Sequence, residues 1–301
     1  MAEPEWSDLK VILALGQSGS VAGAARILAV DASTVSRRLT ATEKAMGAVL
    51  IVRGGREFTF TTEGKAALAA AQAMDKAVTE ASTAVRLART DLQGIIRIAC
   101  SPAVIYFLDT FQNTVSQAHP DLGIELLSGR APADLARGEA DIAIRSLRPN
   151  DLDLVVAHRF DLGSCVYAAK SYLSAYGHPS SFAEVRQHKL VRYNDVFLHL
   201  PAFKWIEEFA DPAQLAVRVD SIDMARNLIA SGRGIGALFC TVGDTTPGVI
   251  RVFDEPIDQM ACCIVYHQSA RGSARLRAVL DLLIEYFVAR RNDLSGQRPE
   301  Q

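Results

Sequence analysis

The sequence has no apolar run long enough to cross a bilayer, although 49% of its 301 residues are hydrophobic. It begins with MAEPEWSDLK, an acidic and polar stretch without the basic start and apolar core of a secretion signal. We therefore expect a cytoplasmic protein with no membrane partner. The apolar content is enough for two or three domains with buried cores.

Metal-binding and catalytic patterns are also missing. The five cysteines form no CxxC pair, and the six histidines show no ligand spacing. No nucleophile is matched with a base and an orienting group. We expect no metal, no cofactor and no enzymatic activity. Buried, reduced thiols are the default in the cytosol; the alternative is a redox-responsive regulator with a thiol switch at Cys165 or Cys240.

An overall excess of basic charge is absent, since the formal net charge is -2. The average conceals a local excess between Arg26 and Arg56, where six basic residues occur with two acidic ones. Phosphate contacts are local, so this segment bears on DNA binding more than the whole chain does.

The first fifty residues have the pattern of a helix-turn-helix. Apolar residues at helical spacing predict one helix before Ser20 and another after it, which Ser20 caps. A three-residue turn, 29–31, ends at Asp31, a suitable cap for a third helix. Val35 and Leu39 of that helix face the core. Its opposite, polar face is therefore exposed and can enter a major groove.

The candidate DNA-contacting residues carry hydroxyl groups or positive charge. Arginine can bind guanine O6 and N7, and Ser or Thr can bond a phosphate or a base edge. A hairpin pattern follows at 51–60, around two glycines, and is typical of a wing that touches the DNA backbone. The alternative is a small helical domain with a solvated charged face. The candidates are Ser20, Ser33, Thr34, Ser36, Arg37, Arg38, Arg53 and Arg56.

These sixty residues resemble the N-terminal pattern of LysR-type transcriptional regulators. The matching positions are Gly19-Ser20, Ala24-Ala25, Ser36-Arg37, Glu43, Gly47, Leu50, Arg53 and Thr61-Thr62-Glu63-Gly64. Thr42 replaces a leucine of the pattern, and its hydroxyl at a core position is expected to loosen the third helix modestly. The resemblance implies a winged helix-turn-helix over 1–61, a long linker helix over 62–90 and an effector-binding domain over 91–301.

The predicted linker helix carries a heptad seam of mostly small residues. This pattern predicts pairing with a second copy of the chain, and the alternative is an amphipathic helix lying on its own domain. The resemblance implies an antiparallel pair, hence a homodimer on a roughly palindromic promoter site, and a homotetramer formed through the C-terminal domains. The seam residues are Ala67, Ala71, Met74, Val78, Ala81, Val85 and Ala88.

The C-terminal two hundred residues alternate predicted strands and helices, which indicates an α/β fold with a parallel sheet. The predicted strands lie at 95–100, 124–129 and 142–145, with further ones within 161–169, 234–240 and 264–267. The resemblance implies two lobes like those of type-2 periplasmic binding proteins. Lobe 1 covers about 91–160 and 266–301, and lobe 2 about 161–265. The polar tail after Arg291 is expected to be disordered.

Ligands in open α/β sheets bind beyond the carboxyl ends of the strands. Arg145 is the strongest candidate, because a cation among hydroxyl groups suits a carboxylate or another small anion. The alternative is that Arg145 pairs with a neighbouring acid or lies at a subunit interface. The candidate effector-binding residues are Ser101, Pro102, Ser128, Arg145, Ser146, Asn194 and Ser221.

These features predict a transcriptional regulator that binds double-stranded promoter DNA and responds to a small-molecule effector. RNA polymerase is a further candidate partner. A two-lobed enzyme and a ligand-binding module without DNA activity are the competing hypotheses, since a fold does not fix a function.

Overall fold

The computed structural model describes residues 5–54, 57–87, 92–129, 133–146, 152–195, 197–209 and 215–297. The chain divides into two compact units, 1–83 and 84–301. The helices are α1 (Trp6–Ser18), α2 (Val21–Leu28), α3 (Ala32–Met46), α4 (Thr62–Leu87), α5 (Pro102–Ile105), α6 (Phe111–Ala118), α7 (Lys170–Tyr176), α8 (Pro201–Phe209), α9 (Ile222–Ala230), α10 (Cys240–Gly243), α11 (Ala274–Ala289) and α12 (Arg291–Ser295).

The strands within the described residues fall into three sheets. They are β1 (Ile51–Gly54), β2 (Glu57–Phe60), β3 (Gly94–Cys100), β4 (Leu122–Ser128), β5 (Ile142–Arg145), β6 (Leu154–Ala169), β7 (Leu190–Tyr193), β8 (Leu215–Val219), β9 (Gly236–Phe239), β10 (Val249–Arg251) and β11 (Asp258–His267). β1 and β2 form a hairpin in the first unit, whereas the other nine lie in the second. The predicted combination of a helical N-terminal unit with an α/β unit is confirmed.

Local sequence explains the helix-turn-helix. The Ser20 hydroxyl accepts the backbone N–H of Gly23 at 3.0 Å and so caps α2. The turn before α3 is 29–31, with Ala29 in the left-handed region at φ 51°. Asp31 occupies the N-cap position of α3, as expected, but its side chain makes no capping hydrogen bond. Val35 and Leu39 pack in the core that α1, α2 and β1 share.

The start of α4 is fixed against the hairpin. The Thr61 hydroxyl accepts the Gly64 N–H at 2.9 Å and donates to the Val49 carbonyl at 2.7 Å. A Cβ on Gly64 would lie 1.9 Å from the carbonyl oxygen of Leu50. Only glycine therefore permits this approach of helix to strand.

A mixed seven-stranded sheet forms the centre of the second unit. Its order is β10-β6-β11-β5-β3-β4, and β9 also pairs with β6. β3, β4 and β5 are parallel, as their alternation with helices predicted, whereas β6 and β11 are antiparallel to each other, so the sheet as a whole is mixed. β7 and β8 form a separate parallel pair.

Two predicted strands are parts of longer ones. β6 pairs with β11 along its first half and with β9 and β10 along its second, so it runs through both predicted lobes. Eight consecutive residues from Leu162 onward are buried, so only the second half of β6 carries a continuous core signal. The half-exposed first half gives no comparable signal, which is why the sequence indicated two separate sets of strands.

The expected disorder after Arg291 is wrong for residues 291–297. They form α12 and a following turn, and Leu294 is fully buried. Arg251 Nη1 donates to the Gly296 carbonyl at 2.7 Å, and Gln259 Nε2 donates to the Ser295 carbonyl at 3.1 Å. The predicted division assigned this tail to lobe 1, whereas it packs against strands assigned to lobe 2.

Candidate functional site

The outer face of α3 carries the predicted DNA-contacting residues. Ser33, Arg37 and Arg38 are exposed, and Thr34 and Ser36 are half-buried. The opposite face is anchored, because Val35 and Leu39 are almost completely buried. The helix therefore presents hydroxyl and guanidinium groups on a rigid support.

Two hydroxyl side chains of the first unit make structural hydrogen bonds. The half-buried Ser20 uses its hydroxyl as the α2 cap described above. Thr42 is fully buried, and its hydroxyl donates to the Arg38 carbonyl at 2.8 Å, so the polar group at this core position is satisfied.

Glu43 connects α3 to the hairpin. Its Oε1 accepts the backbone N–H of Leu50 at 2.8 Å and of Ile51 at 3.4 Å. This carboxylate fixes the start of the hairpin relative to α3. The resemblance marked the residue, but its role became visible only from the contacts.

The wing is an antiparallel hairpin whose register runs from Ile51 opposite Phe60 to Gly54 opposite Glu57. Arg53 lies on β1, although its side chain is not among those described. Arg56 lies outside the described residues, so its predicted contact stays a prediction.

The predicted seam of α4 has a buried first part and an exposed second part. Ala67 and Ala71 pack within the first unit, Ala71 against Leu9 and Leu13. This part of the seam follows the alternative, a helix lying on its own domain, because the core of the same chain already covers both methyl groups. The seam residues beyond it, Met74, Val78, Ala81 and Val85, are exposed, and Ala88 lies outside the described residues.

Five candidate effector residues lie at one edge of the large sheet. The parallel register places Cys100 beside both Ser128 and Ile144. Ser101 and Pro102 therefore follow β3 at the edge where Ser128 ends β4 and Arg145 ends β5. Ser146 follows directly. Arg145 is half-buried, whereas Ser101, Ser128 and Ser146 are exposed.

The remaining two candidates lie at the equivalent edge of the small sheet. Tyr193 of β7 is paired with Val219 of β8, so Asn194 and Ser221 follow neighbouring strand ends. The Asn194 N–H donates to the Val219 carbonyl at 2.9 Å. Ser221 is the N-cap residue of α9, as predicted, without a side-chain capping bond.

Contacts that the sequence did not predict link these two edges. The Tyr106 hydroxyl donates a hydrogen bond to Asp223 in the first turn of α9. The Arg226 guanidinium, also on α9, lies 4.8 Å from the centre of the Tyr106 ring. A separate bond from the Thr241 hydroxyl to the Ala103 carbonyl, at 2.7 Å, joins α10 to α5. Burial and the bond to Asp223 raise the pKa of Tyr106 above its usual value.

Neither a metal site nor a membrane span is found in the described residues. No group of three or more His, Cys, Asp or Glu side chains within the described residues is arranged to hold a metal ion. None of the helices in the described part of the chain combines the length and apolar composition that a bilayer crossing requires.

Comparison with known proteins decides the family. Residues 6–65 match the profile "Bacterial regulatory helix-turn-helix protein, lysR family", and residues 89–288 match "LysR substrate binding domain". The chain belongs to the LysR family. It is thus a LysR-type transcriptional regulator with an effector-binding domain, and the predicted class and the absence of an enzymatic role are confirmed.

Individual relatives agree with the LysR assignment. The chain is 27% identical to the HTH-type transcriptional regulator CrgA of Neisseria meningitidis, over 92% of this chain and 95% of CrgA. It is 24% identical to the transcriptional activator AaeR of Escherichia coli, over 93% of each chain.

A solved full-length structure has the same fold as this LysR-family chain. The Vibrio cholerae virulence activator AphB matches with a TM-score of 0.56 and 17% identity, over 94% of this chain and 99% of AphB.

Proposed function

We propose that the protein binds a palindromic promoter site as a dimer or tetramer and responds to a small anionic effector. The outer face of α3 carries the DNA-binding part of this proposal, because Ser33, Arg37 and Arg38 are exposed there together. Neither arginine has an ion pair among the described residues.

Recognition would combine base and phosphate contacts. A helix of this kind enters the major groove, where an arginine can bind O6 and N7 of a guanine and a hydroxyl can bond a base edge or a phosphate. The hairpin behind α3, held by Glu43, would place Arg53 and Arg56 beside the neighbouring backbone. RNA polymerase is proposed as a further partner of the DNA-bound protein.

Dimer formation is proposed to use the exposed part of the α4 seam, Met74 to Val85. Its exposed apolar residues would be covered by the same surface of a second copy, and two-fold symmetry would place two α3 helices on two half-sites. Sedimentation velocity of the full chain tests this directly, and a monomer at micromolar concentration would contradict it.

The effector is proposed to bind between the two strand edges, with Arg145 as its cationic contact. Hydroxyl groups from Ser101, Ser128 and Ser221 would complete a site for a carboxylate. A thermal-shift screen of small carboxylates, repeated with Arg145→Gln, tests this. A carboxylate that stabilises both proteins equally would remove Arg145 from the proposal.

A gel-shift series tests DNA binding. The DNA upstream of the protein's own gene is titrated at several salt concentrations with wild type and with Arg37→Ala/Arg38→Ala. We expect specific binding to weaken by about 1–3 kcal/mol for each arginine that reads a base. The salt slope should fall by about 1 for each arginine that contacts a phosphate.

The matched control is Arg271→Ala/Arg277→Ala. It removes the same charge from two exposed residues of the second unit and should bind DNA like wild type. Equal affinity and equal salt slope in the α3 variant and in wild type would contradict the proposal.

A further inference from the structure

Two of the five cysteines touch in the interior of the second unit. Cys165 on β6 and Cys240 at the start of α10 are 75 positions apart, yet their Sγ atoms lie 3.4 Å from each other. Both side chains are fully buried. We propose that Cys165 and Cys240 form a disulfide when a hydroperoxide reaches them, and that residues 291–297 control this access. This inference is independent of the proposed DNA and effector binding.

The surroundings differentiate the two thiols. The Tyr167 hydroxyl and Arg251 Nε both donate to Asp244 Oδ1 at 2.9 Å, beside the pair. The contact with Cys165 and the nearby Arg251 guanidinium lower the pKa of Cys240 against the effect of burial. The same contact with Cys240, together with burial, raises the pKa of Cys165. Cys240 also lies directly beneath Gly296, where an oxidant would arrive first when the segment opens, so we assign Cys240 as the nucleophile and Cys165 as the resolving thiol.

The reaction consumes one hydroperoxide, ROOH. The Cys240 thiolate attacks one peroxide oxygen, the O–O bond breaks, and the alkoxide leaves as ROH after protonation, so that Cys240 becomes a sulfenic acid. The Cys165 sulfur then attacks the Cys240 sulfur, and the hydroxyl group leaves as water with the Cys165 proton. Two thiols lose two electrons in total, and the peroxide is reduced to ROH and water. The sulfurs must approach to about 2.05 Å in the product.

The C-terminal segment covers Cys240 directly. A Cβ on Gly296 would lie 2.4 Å from the Cys240 Sγ, so the backbone of this glycine packs directly against the thiol. The bonds from Arg251 to Gly296 and from Gln259 to Ser295, given above, hold the segment in place. A short terminal helix opens at a lower free-energy cost than the central sheet does, and its opening would admit a small oxidant.

Peptide mapping tests disulfide formation in the full-length chain. The protein is treated with hydrogen peroxide, alkylated and digested with trypsin without reduction. Cys165 and Cys240 fall on separate peptides with one cysteine each, 160–170 and 234–251, whereas Cys262 and Cys263 share a third, 252–271. We expect 160–170 and 234–251 to become linked and to separate on reduction. In Cys165→Ala, a sulfenic-acid trapping reagent should label Cys240 instead.

Gly296→Ala tests the control of access. The added methyl group should lift the segment from Cys240 and increase the rate of linkage roughly tenfold, which corresponds to about 1.4 kcal/mol in the opening equilibrium. Gly248→Ala is the matched control. Gly248 has a similar positive φ of 76° but no heavy atom within 4 Å of its added Cβ, so the rate should stay at the wild-type value. Should Gly296→Ala fail to fold, Gln259→Ala loosens the same segment from an exposed position.

Two results would overturn the proposal. One is that both peptides remain unlinked in folded wild-type protein and in the opened variant at peroxide concentrations that oxidise surface methionines. The other is that linkage proceeds at the same rate when the segment is opened, since the cover would then have no control over the reaction.

Discussion

Two arginines of the first unit and two of the second are used in opposite ways. Arg37 and Arg38 lie on the solvent side of α3 without an ion pair among the described residues. In the second unit, Arg192 and Arg251 are each only 7% exposed and are bound to Glu207 and to Asp244. A guanidinium whose donors are satisfied by its own chain has a structural role, whereas one with unused donors can bind phosphates and bases.

The largest effect on stability is expected when one of the buried arginines is replaced. Arg251→Met should lower the free energy of unfolding of the second unit by about 3 kcal/mol, at the low end for a buried ion pair, because Asp244 keeps part of its exposure. The variant also loses the donors to the carbonyls of Asp254 and Gly296. Calorimetric unfolding of the full chain measures this.

Arg218→Met is the comparison for that variant. Arg218 also contacts a carboxylate, Glu207, but its side chain is 48% exposed, and Glu207 keeps Arg192 as a partner. The loss should stay below about 1 kcal/mol. Equal losses in the two variants would show that burial does not decide the importance of these ion pairs.

The same contrast between covered and uncovered side chains runs along α4. Ala71 is fully buried against Leu9 and Leu13, so Ala71→Leu should overpack this contact and lower the free energy of unfolding of the first unit by about 1–3 kcal/mol. Ala73→Leu makes the same change at an exposed position of α4 outside the seam and should leave it unchanged. Chemical denaturation of each variant measures the difference, and equal stability of both would contradict the assignment of Ala71 to the core.

The α3 face could be predicted because its residues are contiguous. One helical period assigns Val35 and Leu39 to the core and therefore Ser33, Arg37 and Arg38 to solvent. β5 was predicted at its observed bounds for a similar reason, as a short apolar run that ends in a charge. Sequence periodicity is sufficient where a site lies on a single element.

Sites built from distant segments could be predicted only in part. The ends of the strands were recognisable in the sequence, so the candidate residues at each sheet edge were identified. The contact of Tyr106 with Asp223 spans 117 positions, and no local pattern indicates it. The burial of Arg251 and the packing of α12 depend likewise on partners far along the chain. Leu294 is the only apolar residue in α12, too little for a periodic signal.

Replacing Thr42 is expected to change the stability of the first unit less. Thr42→Val keeps the shape and replaces a buried hydroxyl, whose bond to the Arg38 carbonyl competes with the helix backbone. The free energy of unfolding of the first unit should stay the same or rise by up to about 1 kcal/mol. A fall of more than about 1 kcal/mol would show that this hydrogen bond stabilises α3.

The smallest effect on stability is expected on the outer face of α3. Arg37→Ala/Arg38→Ala removes two exposed side chains, and alanine favours a helix at least as well as arginine, so the free energy of unfolding should change by less than about 0.5 kcal/mol. Denaturant unfolding measured beside the gel shift separates two explanations of lost DNA binding. Wild-type stability with lost binding assigns the effect to the contacts. A loss of stability comparable to that of Ala71→Leu would mean that these arginines, like Arg251, support their own fold.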